Sequence, residues 1–210
     1  PFGKSAFAAM VRECRGPEPL VQTLLLADDL IQREGVLCGE IDMETDDFAV
    51  LSVSQATGDA PLPPYLTADA PEDNAGPDNP LATDRIWGRY FRHAADRARR
   101  LGSPFLAHWV AHEVGLRNAL ARVRAETLGL DARPYLVAEK LGEPYSAFDR
   151  ELDEWKRAPH PLAGLEAMER LRWNWLREQA PWYDFGDDEV AAYGARLMVL
   201  LRRQRMLQDG

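Results

Sequence analysis

The sequence predicts a mainly α protein, a helical bundle of two lobes with room for a small extended element near the N-terminus. Two observations carry this. Apolar residues recur at three- and four-residue spacings along most of the chain, often behind a capping residue. No rhythm of strand followed by helix suggests a parallel sheet. A proline-dense stretch then divides the chain into an acidic N-terminal helical lobe at 1–55, a loop or linker at 56–80 and a helical bundle at 81–210.

The elements follow in order. Ser5 to Cys14 places Phe7, Met10 and Val11 at helical spacing, with Ser5 as the candidate N-cap, and Gly16-Pro17 breaks the run. Pro19 to Arg33 carries Leu20, Val21, Leu24, Leu25, Leu26, Leu30 and Ile31 on one broad face, and Gly35 fits its C-terminal cap. Val36 to Ile41 reads as a short strand or an extended link. Asp46 to Gln55 reads as a short helix starting at Thr45 or Asp46. Residues 56–80 hold six prolines, and such a stretch keeps no hydrogen-bond ladder.

Beyond the linker, Thr83 or Asp84 caps a helix to about Leu101 with Ile86, Tyr90, Phe91 and Ala94 inward. Ser103-Pro104 starts another, running to Leu128 with Phe105, Trp109, His112, Leu116, Leu120 and Val123 as its stripe, and Gly129 stops it. Pro134 and Pro144 begin shorter helices, the second bearing Phe148, Leu152 and Trp155. Leu162 to Arg177 forms a helix with Leu165, Met168, Leu171 and Trp175 along one side. Asp187-Asp188-Glu189 then place negative charge at the positive end of a final helix. That helix presents Val190, Tyr193, Leu197, Leu200 and Leu201, and ends in Arg202, Arg203 and Arg205.

Charge is uneven. The formal net charge is −9, yet residues 1–79 hold 15 acidic residues against Lys4, Arg12, Arg15 and Arg33. Residues 85–125 carry nine arginines against Asp96 and Glu113. The acidic portion can fold over the basic one, each can face a different partner, or both can be solvated helix faces. No apolar run reaches the ~18 residues of a membrane span, so direct transmembrane insertion is not expected. No signal peptide is visible, and the composition reads as cytoplasmic and globular.

Chemistry-bearing patterns are sparse. His108 and His112 lie four apart on one helix; with Glu113 and His93 they make a candidate metal site. The zinc-protease pattern requires glutamate where Trp109 stands, and His112 equally suits a packed core. Gly3-Lys4-Ser5 imitates the end of a phosphate loop without its preceding glycine and strand. Asp149, Glu151, Asp153 and Glu154 point around a short helix rather than converging. Cys14 and Cys38 cannot supply a disulfide framework or a four-thiolate metal site, and they read as ordinary buried thiols. The arginines of 85–125 with Trp87, Tyr90 and Phe91 offer a nucleic-acid reading, which the acidic chain and core-like aromatic spacing oppose; no nucleic-acid partner and no cofactor are expected. Trp173 and Trp175 cannot share one helix face, so one packs internally while the other meets a lobe or partner, or both are buried. Together with Trp182 they are candidate interface anchors.

The segment Leu116-Arg117-Asn118-Ala119-Leu120-Ala121-Arg122-Val123-Arg124, with asparagine followed six residues later by arginine, resembles a helix pattern of the C-type (or d-type) central-stalk adaptor of V/A-type ATPases. More of the chain resembles a smaller, uncharacterised bacterial family encoded among V-type ATPase genes. The matching pieces are Phe2-Gly3, Asn79-Pro80-Leu81, the asparagine–arginine helix, Pro161-Leu162-Ala163, Leu171-Arg172-Trp173, Trp182-Tyr183-Asp184-Phe185 and Ala192-Tyr193. The resemblance implies a noncatalytic helical protein, not an enzyme, that couples a soluble ATPase head to its membrane rotor. Its partners would be other stalk or rotor subunits, and its location the cytoplasmic membrane face through the complex. The arginines of the basic stretch, among them Arg117, Arg122 and Arg124, are then interface candidates beside Asn118, Trp173 and Trp182. Arg117 and Arg124 can equally hold helices together.

Overall fold

The computed structural model describes residues 3–40, 48–67 and 81–208. These form an all-α fold, with no strand among the described residues. The helices are α1 (Lys4–Arg12), α2 (Glu18–Cys38), α3 (Val53–Thr57), α4 (Pro64–Thr67), α5 (Ala82–Leu101), α6 (Pro104–Leu128), α7 (Asp149–Lys156), α8 (Pro161–Gln179) and α9 (Asp187–Gln208). Short 3-10 turns at Arg133–Tyr135, Glu139–Leu141 and Tyr145–Phe148 lie between α6 and α7. Among the described residues, no helix is long and apolar enough to cross a membrane.

The chain forms two compact units that do not follow chain order. One comprises residues 1–62, 101–106 and 172–210, and the other residues 63–100 and 107–171.

In the first unit, α2 is the central element and packs on α1, α3 and α9. It is buried around most of its circumference, through Leu20, Val21, Leu24, Leu25, Leu26 and Leu30, because neighbours cover several sides. It runs past Gly35, which is buried inside the helix rather than capping it. Gly39 is the cap, with φ of 72° and its N–H on the carbonyls of Gly35 and Val36. Val36 to Cys38 are therefore helical, whereas Ile41 lies outside the described residues. Ser5 sits within α1, whose N-cap is Gly3. Ser52 caps α3 reciprocally with Gln55. The expected helix start at Thr45 or Asp46 lies outside the described residues.

α9 turns a different face inward from the one its large side chains suggested. Ala191, Ala192, Ala195, Met198 and Val199 are buried, while Tyr193 and Leu200 are about half exposed. Small side chains let backbones approach closely. A Cβ added at Gly194 would lie 3.0 Å from the Phe7 ring. Dense packing on α1 and α2 thus selects the alanine face, leaving Tyr193 and Leu200 outside and Val190, Leu197 and Leu201 partly covered.

The second unit is built around Leu116, Ala119 and Val123 of α6, Phe148 and Leu152, and Ala167, Met168 and Leu171 of α8. Trp155 and Leu120 pack against that core. Gly115 and Gly142 allow α6 to touch the following loop, and a Cβ at Gly115 would lie 2.8 Å from Phe148 and 3.0 Å from the Glu143 backbone. Leu165, expected inward, is 46% exposed, since the buried face of α8 runs through Ala167 and Met168 instead.

Candidate protein-docking site

The predicted site residues are mostly engaged inside the fold. Asn118 is buried and clasps Val137, donating from Nδ2 to its carbonyl at 2.8 Å and accepting its N–H at 2.8 Å. One amide side chain thereby completes both backbone groups of an otherwise irregular segment, next to Ala138 at φ 43°. Arg117 donates to Asp84 at 3.0 Å, with its guanidinium 4.7 Å from the Trp87 ring centre. Arg122 pairs with Glu139, and Arg124 lies 5.6 Å over Trp155. These contacts tie α6 to its neighbours in the second unit. Asp84, expected as a possible cap, is a buried partner in the first turn of α5.

The histidines occupy different surroundings. His93 stacks on Tyr65 at 4.2 Å between ring centres, and burial lowers its pKa. His108 is exposed, whereas His112 is buried beside Phe148 with Nδ1 3.3 Å from Glu143. Burial, then the nearby charge of Glu113, raises the pKa of the enclosed Tyr90 hydroxyl. Among the described residues no group of three or more histidine, cysteine or acidic side chains converges as metal ligands. Cys14 and Cys38 are exposed, contrary to the expectation of buried thiols: Cys14 lies in the turn after α1 and Cys38 is the last residue of α2, outside the packed helix faces.

Lys4 does not serve as a phosphate-loop lysine. It is fully buried and donates to Asp28 at 2.8 Å and to Asp29 at 2.7 Å. Asp29 also accepts the N–H groups of Ala49, Val50 and Leu51. Arg202 and Arg205 of α9 approach Asp28 within 3.8 and 3.4 Å. Burial alone would raise the Asp28 pKa, but Lys4, Arg202 and Arg205 outweigh it and hold the carboxyl at about 2. Here the acidic N-terminal segment meets basic residues of the last helix.

The surface feature left over is the Trp182–Phe185 corner ahead of α9. Trp182, Tyr183 and Phe185 are 57%, 81% and 91% exposed. Tyr183 and Phe185 adopt φ of 61° and 55°, an uncommon region for bulky side chains. The corner is held by Glu189, which accepts the Tyr183 N–H at 2.9 Å and the Phe185 N–H at 2.7 Å. Bonds from the Phe185, Tyr183 and Asp184 backbones hold the Glu189 pKa below its usual range. Trp182 is pinned beneath the Arg196 guanidinium at 3.8 Å. Phe185 thus borders a groove of about 650 Å³, floored by Phe7 and Met10 of α1 and by Val190 and Tyr193 of α9. Trp173 is half-buried, and so is Trp175, which lies 6.2 Å from Phe105.

Sequence reasoning named Trp182 but missed Phe185, Tyr183, Met10 and Phe7 as parts of one surface. The available signal was Glu189 placed to reach back over a short turn, together with three aromatic residues in four positions. No protein-family model, curated protein or solved structure matches the chain.

Proposed function

We propose that the chain is a noncatalytic accessory or central-stalk protein of a V/A-type ATPase, similar in role to the C-type stalk adaptor, which binds neighbouring subunits and helps couple the soluble head to the membrane rotor. The observation that carries a protein-docking role is the aromatic corner: Tyr183 and Phe185 held outward in a costly backbone conformation beside an apolar groove. Fixed exposed aromatics of this kind suit a macromolecular partner, since large rigid side chains lose little entropy on docking. The choice of an ATPase as the assembly is supported by the order of the sequence motifs, of which Trp182-Tyr183-Asp184-Phe185 is one. In that reading the protein sits at the cytoplasmic membrane face through the complex.

Affinity purification of the tagged chain from its own cells tests the proposal. Stalk or rotor subunits should co-elute with it, and the Phe185→Ser/Tyr193→Ser double variant should lose them while keeping its helical circular dichroism. Consistent absence of the chain from gently isolated, intact ATPase would falsify it.

A further inference from the structure

We propose that in the isolated protein the groove is covered by α9 of a second copy, the two helices running antiparallel about a two-fold axis at the level of Ala195. This rests on reading the corner as a protein-docking surface, but not on the identity of the ATPase.

The argument starts from the outward face of α9. Val190, Tyr193, Leu197, Leu200 and Leu207 follow steps of three, four, three and seven, the seam of a paired helix. Tyr193, Leu200 and Leu207 are 51%, 48% and 70% exposed, and Val190 and Leu197 between them are partly covered, so the described fold leaves three of the five seam positions open. Its two ends are unlike. The N-terminal end is hollow, bounded by Phe185 and Met10, and carries exposed Asp184 and Asp187. The C-terminal end projects Leu200 and Leu207 and carries exposed Arg203.

An antiparallel pair brings these unlike ends together. Val190 then lies opposite Leu200 of the second copy, Tyr193 opposite Leu197, and Asp187 opposite Arg203. Leu207 reaches the hollow beside Phe185. The stretch from Asp187 to Arg203 spans about 24 Å at the helical rise, long enough for a continuous seam. A parallel pair would instead set hollow against hollow and like charge against like. Opposed helix dipoles add to the preference. Arg196, which lies close to the axis, is drawn aside onto Trp182 and towards the Leu176 carbonyl, so it does not oppose its own copy. Arg202 and Arg205 turn to Asp28 and take no part. One surface complements itself, as a two-fold interface requires.

Sedimentation velocity on the full chain, over a concentration series reaching hundreds of micromolar, is the test. A reversible monomer–dimer equilibrium is expected. Leu200→Glu and Leu207→Glu, both at exposed positions, should each weaken it at least about tenfold. Arg203→Glu should weaken it as well, and adding Asp187→Arg in the same chain should restore it. A chain that stays monomeric throughout overturns the proposal. So does a dimer indifferent to both leucine variants, or a charge-reversed double variant that does not recover. A monomeric chain would leave the ATPase co-purification result standing, and loss of that association would leave the dimer standing.

Discussion

At the scale of single residues, the Lys4–Asp28–Asp29 cluster shows how burial converts ordinary ions into determinants of the fold. Each charge is excluded from water, so each needs the others. Lys4→Met should destabilise the protein by about 3–5 kcal/mol in urea unfolding, because two carboxylates then stay buried without their shared cation. The Asp28 pKa of about 2 lies below its ordinary 3.8, so folding favours the ionised form. Its contribution, on the order of 2 kcal/mol, is complete above about pH 4 and drains away as pH falls towards 2. Acid unfolding of Asp28→Asn should therefore lack part of the loss of stability that the unmodified chain shows in that window. Glu189 acts the same way in direction. Glu189→Gln should speed hydrogen exchange at the Tyr183 and Phe185 amides, which lose their charged acceptor.

Among elements, the decisive features are the places where an irregular segment is fastened to a helix. Asn118 on α6 replaces a missing backbone partner for Val137 on both sides. Asn118→Leu keeps the size of the side chain but orphans a buried N–H and a buried carbonyl, at about 1–3 kcal/mol each. The change should appear as a lower denaturation midpoint without loss of total helix. Gly115 has a different task, the near contact of α6 with the loop at Glu143. Gly115→Ala should cost about 1–3 kcal/mol, because the added methyl meets rigid backbone as well as the Phe148 ring. The start of α6 is also shared between elements. Ser103 accepts the Leu106 N–H and donates its hydroxyl to Asp188 of α9, which also accepts the Phe105 N–H.

Across the whole molecule, the two compact units are assembled from segments far apart in the chain. Residues 172–210 join the N-terminal segment in one unit, so removing α9 should expose α2 and the Asp28 carboxylate together. A chain ending after Gln179 is expected to lose cooperative unfolding of the α1–α2 region, read by hydrogen exchange of the Leu24–Leu26 amides. The docking surface belongs to that same unit. Tyr193 and Leu200 are outside because the inner side of α9 is filled by Ala191, Ala192, Ala195, Met198 and Val199.

The helical class, most helix positions and the start of α6 were legible in the sequence, because they depend on local spacing, capping chemistry and proline. The buried role of Trp87, Tyr90, Phe91 and Phe148 was equally open to that reasoning. Gly35 misled it, since a glycine after an apolar run resembles a cap unless neighbours bury it within a longer helix. α9 misled it more deeply. Large apolar residues at helical spacing imply an inward face, yet residues with small side chains won the inner position, because close approach to α1 and α2 leaves no volume for Tyr193 or Leu200. The same limit hid the Lys4 cluster and the aromatic corner. Sequence spacing reports which side chains share a face of one element, and only the tertiary packing decides which of those faces meets protein and which meets water.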